Sequence, residues 1–107
     1  MEFKEYLVDG PRNLYFNNGK IYIAGQRLNG NEEGIKKIFY PDGKLMKEEF
    51  YIEGKLHGLV KFYNETGTLL YEQNYYLGSL HGSSSYYVAG KLNTTYNYYY
   101  GVLETKQ

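Results

Sequence analysis

Two histidines and two glutamates are the side chains whose spacing could support chemistry in this chain. His57 and His81 lie in the similar segments GKLHG (54–58) and GSLHG (78–82). Glu48 and Glu72 are separated by the same interval as the two histidines. Histidine pairs bind zinc, and carboxylate pairs act as general acid and base in glycoside hydrolysis. Which of these is possible depends on the elements that carry the two pairs.

Those elements are internal repeats marked by glycine. One glycine series recurs at a constant interval: Gly10, Gly34, Gly58 and Gly82. A second series keeps the same interval until its last step, which is shorter by one: Gly19, Gly43, Gly67 and Gly90. The spacing predicts a single domain over 1–107 with repeats at 10–33, 34–57, 58–81 and 82–104. An N-terminal strand in 1–9 precedes the repeats, and a tail at 105–107 follows them. The last repeat is one residue shorter than the others, and the deletion lies between Gly82 and Gly90.

Each repeat has the pattern of one β-hairpin followed by a turn into the next. Aromatic and β-branched runs alternate with Asn-Gly and Asp-Gly turn signals about every ten residues, and no helical stripe survives across them. We therefore predict an all-β fold, an elongated, twisted antiparallel meander of four stacked hairpins with eight or nine strands. Residues 2–8 add an edge strand. Alternation is good but not strict: within KLMKEEFYI (44–52) it places Leu45, Lys47, Glu49 and Tyr51 on one face. Adjacent apolar residues such as Tyr75-Tyr76 imply that both faces are partly covered, or that a bulge re-aims one of the residues.

This architecture argues against chemistry at either pair. Equivalent positions in neighbouring hairpins are two strand spacings apart, about 10 Å, whereas two ligands of one zinc ion lie within about 4 Å. We expect each histidine to occupy a solvated turn without a structural role. Glu48 and Glu72 should each pair with a lysine on a neighbouring strand or bond a tyrosine. With no HExxH, Ser-His-Asp or phosphate-loop motif, we expect no enzyme activity, cofactor or metal.

Composition narrows the choice of partner. Twelve basic and twelve acidic residues balance to a net charge of zero, which disfavours nucleic acid and anionic membranes. The chain contains no cysteine, so disulfides and thiolate zinc sites are excluded. The segment MEFKEYLVDG lacks an apolar signal region, and we expect a cytoplasmic location, or a secreted or envelope one if a leader has been removed.

Tyrosine is the unusual component. The chain has fifteen tyrosines, more than a thin sheet can bury. Tyrosine is rigid and amphipathic, and it is enriched at the centres of protein interfaces. We expect a tyrosine-rich sheet face to bind another protein. The predicted partner-binding residues are Tyr51, Tyr71, Tyr75, Tyr76, Tyr98, Glu48 and Glu72.

The two middle repeats resemble a known repeat family. GIKKIFYPDGKLMKEEFYIEGKLHG (34–58) and GLVKFYNETGTLLYEQNYYLGSLHG (58–82) are similar to the MORN-repeat variant of bacterial antitoxin-type proteins, the YwqK-type family. The resemblance extends over about 10–101. The first repeat departs from it at Ala24 and Arg27, and the last at Thr95. The resemblance implies an antitoxin or immunity-like role in which the chain masks a toxin or effector encoded beside it.

Two other functions fit the same repeats. The chain could be a surface or envelope module with a structural or adhesive role, which predicts a cleaved signal in the native gene. It could also bind lipid headgroups, as proposed for MORN proteins generally, but that role predicts basic clusters that the balanced charge does not supply.

Overall fold

The computed structural model describes residues 10–106. Within this range the chain forms eleven β-strands and no helix. The predicted edge strand at 2–8 lies outside the described residues. The strands are β1 (Gly10–Tyr15), β2 (Ile21–Leu28), β3 (Asn31–Glu32), β4 (Gly34–Phe39), β5 (Leu45–Ile52), β6 (Lys55–Leu56), β7 (Gly58–Tyr63), β8 (Leu69–Tyr76), β9 (Ser79–Val88), β10 (Lys91–Tyr99) and β11 (Val102–Lys106).

The strands form one open antiparallel sheet. Nine of them follow each other across it in the order β1-β2-β4-β5-β7-β8-β9-β10-β11, while the short β3 and β6 pair with β2 and β5. The principal dimensions are 59 × 37 × 14 Å. The predicted all-β meander of stacked hairpins is confirmed. Because the sheet is a single layer, both of its faces are open to other molecules.

Each hairpin contains a β-bulge at the same place. The pairing skips one residue on the second strand of every hairpin: Tyr22, Met46, Leu70 and Asn93. In the second hairpin Ile38 pairs with Lys47, and the next residue, Phe39, pairs with Leu45. The bulge moves Leu45 to the face opposite Lys47 and Tyr51. The predicted alternation was therefore wrong at Leu45, because a bulge shifts the two-residue period by one.

The loop between the two strands of a hairpin explains the missing residue. In the first three hairpins it contains a glycine whose N–H bonds a carbonyl three residues earlier, as between Gly43 and Tyr40 at 2.9 Å. The fourth hairpin turns through only Ala89 and Gly90, both with positive φ (52° and 79°). Two positive-φ residues are typical of a type I′ turn, which is one residue shorter and still closes a hairpin.

A turn of the same kind follows the second long strand of every repeat. Asn29-Gly30, Glu53-Gly54, Leu77-Gly78 and Tyr100-Gly101 all have positive φ at both residues. Such backbone is unfavourable for side chains other than glycine and asparagine. Contacts between successive repeats offset that cost, and they are described with the surface below.

Candidate binding surface

Strand register divides the side chains between two faces. We call the one that carries Tyr51, Tyr75 and Tyr98 the tyrosine face, and the one that carries Glu48 and Glu72 the back face. The division follows from cross-strand pairs, since directly paired residues project to the same side. For example, Lys36 pairs with Glu49 on the tyrosine face, and Lys37 pairs with Glu48 on the back face.

A row of tyrosines crosses the tyrosine face, one for each of the last three repeats. Tyr51 pairs with Gly34 on one side and with Leu56 on the other. Tyr75 has the equivalent neighbours, Gly58 and Leu80. Tyr98 lies between Gly82 and Leu103. A glycine leaves its strand position without a side chain, so the large ring next to it has space.

Hydrogen bonds hold the tyrosine hydroxyls in position. The Tyr51 hydroxyl donates to Glu49 Oε1 at 2.9 Å, and Glu49 also pairs with Lys47 at 3.2 Å. Glu49 is only 7% exposed, which makes this one of the few buried polar groups on the sheet. Burial, followed by the bond to Glu49, raises the pKa of Tyr51 above its usual range.

Tyr75 has an amide in place of the carboxylate. Its hydroxyl donates to Gln73 Oε1 at 3.2 Å, and Gln73 Nε2 donates to the Tyr86 hydroxyl at 3.0 Å. Burial raises the pKa of Tyr75, and Tyr71 and Tyr86 raise it further. Tyr51 and Tyr75 therefore keep their protons at neutral pH and present fixed, uncharged rings.

The centre of the tyrosine face is a packed aromatic layer. Phe62 and Tyr71 stack at 5.0 Å with an interplanar angle of 4°. Tyr71 contacts Tyr86 at 5.8 Å, and Tyr86 meets Tyr96 edge-on at 5.8 Å. Val60, 3% exposed, is the buried hydrophobic residue beside this layer. The predicted residue Tyr71 thus has a packing role here.

The other predicted binding residues lie elsewhere. Glu48 and Glu72 are on the back face, where they pair with Lys37 and Lys61, each at 3.9 Å. Glu72 also accepts a hydrogen bond of 2.5 Å from the Tyr87 hydroxyl, which raises the pKa of Tyr87. The predicted pairing of both glutamates is confirmed.

Tyr76 is also on the back face, where it is 45% exposed and its ring lies 5.2 Å from that of His57. The seven predicted residues consequently divide into a tyrosine-face set and a back-face set: Tyr51, Tyr71, Tyr75 and Tyr98 on the first, Glu48, Glu72 and Tyr76 on the second. A partner lying flat on one face contacts only one of these sets.

The histidines connect successive repeats. His57 Nδ1 accepts a hydrogen bond from the N–H of Leu77 at 3.2 Å, and His81 Nδ1 accepts one from the N–H of Tyr100 at 3.0 Å. Glu33 Oε1 does the same for Glu53 at 2.8 Å. The interpretation of the histidines as having no structural role was wrong, since each bonds the strained first residue of the next inter-repeat turn.

Backbone bonds accompany these side-chain bonds. In the last three repeats the N–H of this turn glycine donates to a carbonyl of the preceding repeat: Gly54 to Glu32 (2.9 Å), Gly78 to Leu56 (2.7 Å) and Gly101 to Leu80 (2.6 Å). The three acceptors, Glu32, Leu56 and Leu80, occupy equivalent positions in successive repeats. In addition to strand pairing, the closing turn of each of the last three repeats is thus bonded to the preceding repeat by one backbone and one side-chain hydrogen bond.

The first repeat differs at the row of tyrosines. Arg27 replaces tyrosine and donates from Nη1 to the carbonyl of Gly30 at 3.2 Å. Glu32 replaces leucine and pairs with Lys36 at 2.7 Å. A cavity of about 170 Å³ remains here, because Gly25 provides no side chain on this face. The row of tyrosines is therefore limited to the last three repeats.

Residues 10–106 contain neither a metal-binding cluster nor a helix that could span a membrane. They contain no group of three or more His, Cys, Asp or Glu residues placed to hold a metal ion. No helix in this part of the chain is long and apolar enough to cross a membrane.

Comparison with known proteins gives a match for two of the repeats. The family model of the MORN repeat variant matches residues 32–53 and 56–75. These segments correspond to the second and third hairpins, which carry Tyr51 and Tyr75. A comparison with curated proteins gives no match. Two segments of the chain thus match the MORN repeat variant, and such repeats suggest a binding module of the repeat type.

Proposed function

We propose that this chain is a non-enzymatic module that binds another protein through its tyrosine face. The observation that supports this most is the row of Tyr51, Tyr75 and Tyr98, spaced one repeat apart on one side of the sheet. A flat row of aromatic rings offers contact area with little conformational entropy to lose.

The chemistry of the row favours a protein as the partner. The hydroxyls of Tyr51 and Tyr75 are already oriented by Glu49 and Gln73, so their positions are fixed before a partner arrives. Preorganisation of this kind lowers the cost of association. The net charge of zero provides no general attraction for nucleic acid or anionic lipid.

The antitoxin resemblance makes the proposal more specific. In this version the chain acts in the cytoplasm of a bacterium and masks a toxin or effector encoded by a neighbouring gene. The masked surface of the toxin lies on the tyrosine face and is released when the chain is removed.

Affinity measurements with the proteins encoded beside this gene test the proposal. Tyr75→Ala should weaken binding about thirtyfold or more, because central interface tyrosines contribute about 2 kcal/mol or more. Tyr99→Ala is the matched control, since Tyr99 is 57% exposed on the back face. Circular dichroism should show that both variants fold. Equal losses in the two variants would refute the tyrosine face, and absence of binding to any neighbour would refute the antitoxin version.

A further inference from the structure

The back face carries a row of alternating charges that no part of the described chain covers. Cross-strand pairs connect Lys37 to Glu48, Glu48 to Lys61 and Lys61 to Glu72. The signs along the row are therefore plus, minus, plus, minus over β4, β5, β7 and β8. The side chains of Lys37, Glu48 and Lys61 are 44–48% exposed, and that of Glu72 is 24% exposed.

A second, apolar row runs beside the charges, two residues along each strand. Ile35 pairs with Phe50, and Leu59 pairs with Asn74. Phe50 and Leu59 lie two residues from Glu48 and Lys61 on the same two strands, so they are also neighbours. Ile35, Phe50 and Leu59 are 53%, 40% and 45% exposed. Three adjacent, half-exposed apolar side chains at the centre of a sheet face are typical of a surface that another molecule covers.

When the order of this charged row is reversed, every position carries the opposite sign, so two copies of the row can attract each other. If a second copy of the chain lies face to face with the first, related by a two-fold axis parallel to the strands between β5 and β7, the order of the row is reversed. Lys37 then faces Glu72 of the other copy, and Glu48 faces its Lys61. Rotation about an axis along the row would instead place each charge opposite itself, which is repulsive.

The same axis brings the apolar rows together. Phe50 then lies over Leu59 of the other copy, and Ile35 lies over its Asn74. A groove of about 340 Å³, lined in part by Glu48, Leu59 and Lys61, opens next to the position where Phe50 of the second copy arrives. We propose that the back face is the interface of a symmetric homodimer, two sheets packed face to face about this axis.

The dimensions and the energies are consistent with such a dimer. A face of 59 × 37 Å exceeds the roughly 800 Å² that each partner buries in a stable interface. Sheets pack face to face about 10 Å apart. Exposed ion pairs contribute little to affinity, so the apolar row supplies most of the attraction and the charges select the orientation. The tyrosine face remains free for a different partner.

Charge-pattern variants test the dimer by sedimentation equilibrium. The wild type should form a reversible dimer. Glu48→Lys combined with Glu72→Lys makes the row all positive, and Lys37→Glu combined with Lys61→Glu makes it all negative. Each variant alone should be a monomer, and a mixture of the two should form a one-to-one heterodimer. The proposal fails if either variant dimerises like the wild type, or if the mixture remains monomeric.

Substitutions in the apolar row give an independent measurement. Phe50→Ser and Leu59→Ser should each weaken the dimer about tenfold or more, the equivalent of about 1.4 kcal/mol. Leu14→Ser is the matched control, because Leu14 is 41% exposed on the tyrosine face. At about millimolar concentration even a dimer with a Kd of that order is populated. A wild type that stays monomeric there would overturn the proposal. So would a dimer that responds equally to all three substitutions, since that would indicate association at another surface.

Discussion

Replacement of His81 tests the idea that histidines join the repeats. His81→Ala removes the hydrogen bond to the Tyr100 N–H, 3.0 Å long, and a ring contact with Tyr100 at 4.2 Å. A neutral hydrogen bond contributes about 1 kcal/mol, and an aromatic contact about 0.5–1.5 kcal/mol. Tyr100 is 53% exposed, so water replaces part of both. We expect the free energy of unfolding to fall by about 1–2 kcal/mol.

Urea denaturation followed by circular dichroism measures this loss. His81→Asn is the informative control, because the asparagine Oδ1 is as many bonds from the backbone as the histidine Nδ1 and can accept the same N–H. This variant should lose only the ring contact. Its free energy of unfolding should therefore lie about midway between those of the wild type and His81→Ala. If His81→Ala unfolds at the wild-type urea concentration, or if His81→Asn is as unstable as His81→Ala, the hydrogen bond does not stabilise the junction.

Two further substitutions probe the tyrosine row and the inter-repeat turns. Tyr51→Phe should destabilise the protein by about 1.5–3 kcal/mol in urea denaturation at pH 7, because the buried carboxylate of Glu49 loses a donor. The pKa of Tyr51 is raised in the folded state. The contribution of Tyr51 to stability is therefore complete below the ordinary tyrosine pKa of about 10 and is lost as the pH rises from there through the raised pKa. The alkaline decline in stability should thus be shallower in Tyr51→Phe, and an unchanged slope would contradict the assignment. Leu77→Asn should raise the melting temperature, with a gain of about 0.5–1 kcal/mol, because asparagine tolerates the φ of 42° better than leucine does; a lower melting temperature would show that the Leu77 side chain matters more than its backbone.

The sequence was sufficient to predict the all-β fold and the hairpin topology. Glycines at fixed spacing mark positions where the backbone has positive φ, as at Gly34 and Gly58. Such positions are few, so their spacing defines how the repeats align with one another. The tyrosine and leucine columns were also predictable, because Tyr51 and Leu56 repeat at Tyr75 and Leu80. Both residues of each pair prove to be direct cross-strand neighbours.

The bulges were harder to predict. At each bulge of the two middle repeats two apolar residues are adjacent, Leu45-Met46 and Leu69-Leu70, and the hydrophobic pattern does not determine which one points to which face. Only the pairing with the neighbouring strand decides this, and it places Leu45 opposite Phe39. A prediction based on strict alternation therefore assigns one residue of the pair to the wrong side.

The role of the histidines was missed for a different reason. Their hydrogen-bond partners lie 20 and 19 residues further along the chain, outside any local motif. A signal was nevertheless present, because Glu33, His57 and His81 occupy equivalent positions in successive repeats. A carboxylate and an imidazole share the ability to accept a hydrogen bond, so the column is consistent in chemistry although it varies in residue type.

The bonds at the inter-repeat junctions have a consequence for the evolution of array length. The Gly54 N–H donates to the carbonyl of Glu32, and the Gly78 N–H donates to that of Leu56. The second repeat therefore donates one such hydrogen bond to the first repeat and accepts an equivalent one from the third. A duplicated copy of residues 34–57 would find a matching acceptor before it and a matching turn after it. The array can thus grow or shrink by whole repeats, about 10 Å at a time. Duplication at this point would lengthen the row of tyrosines by one ring and leave both ends of the sheet as they are.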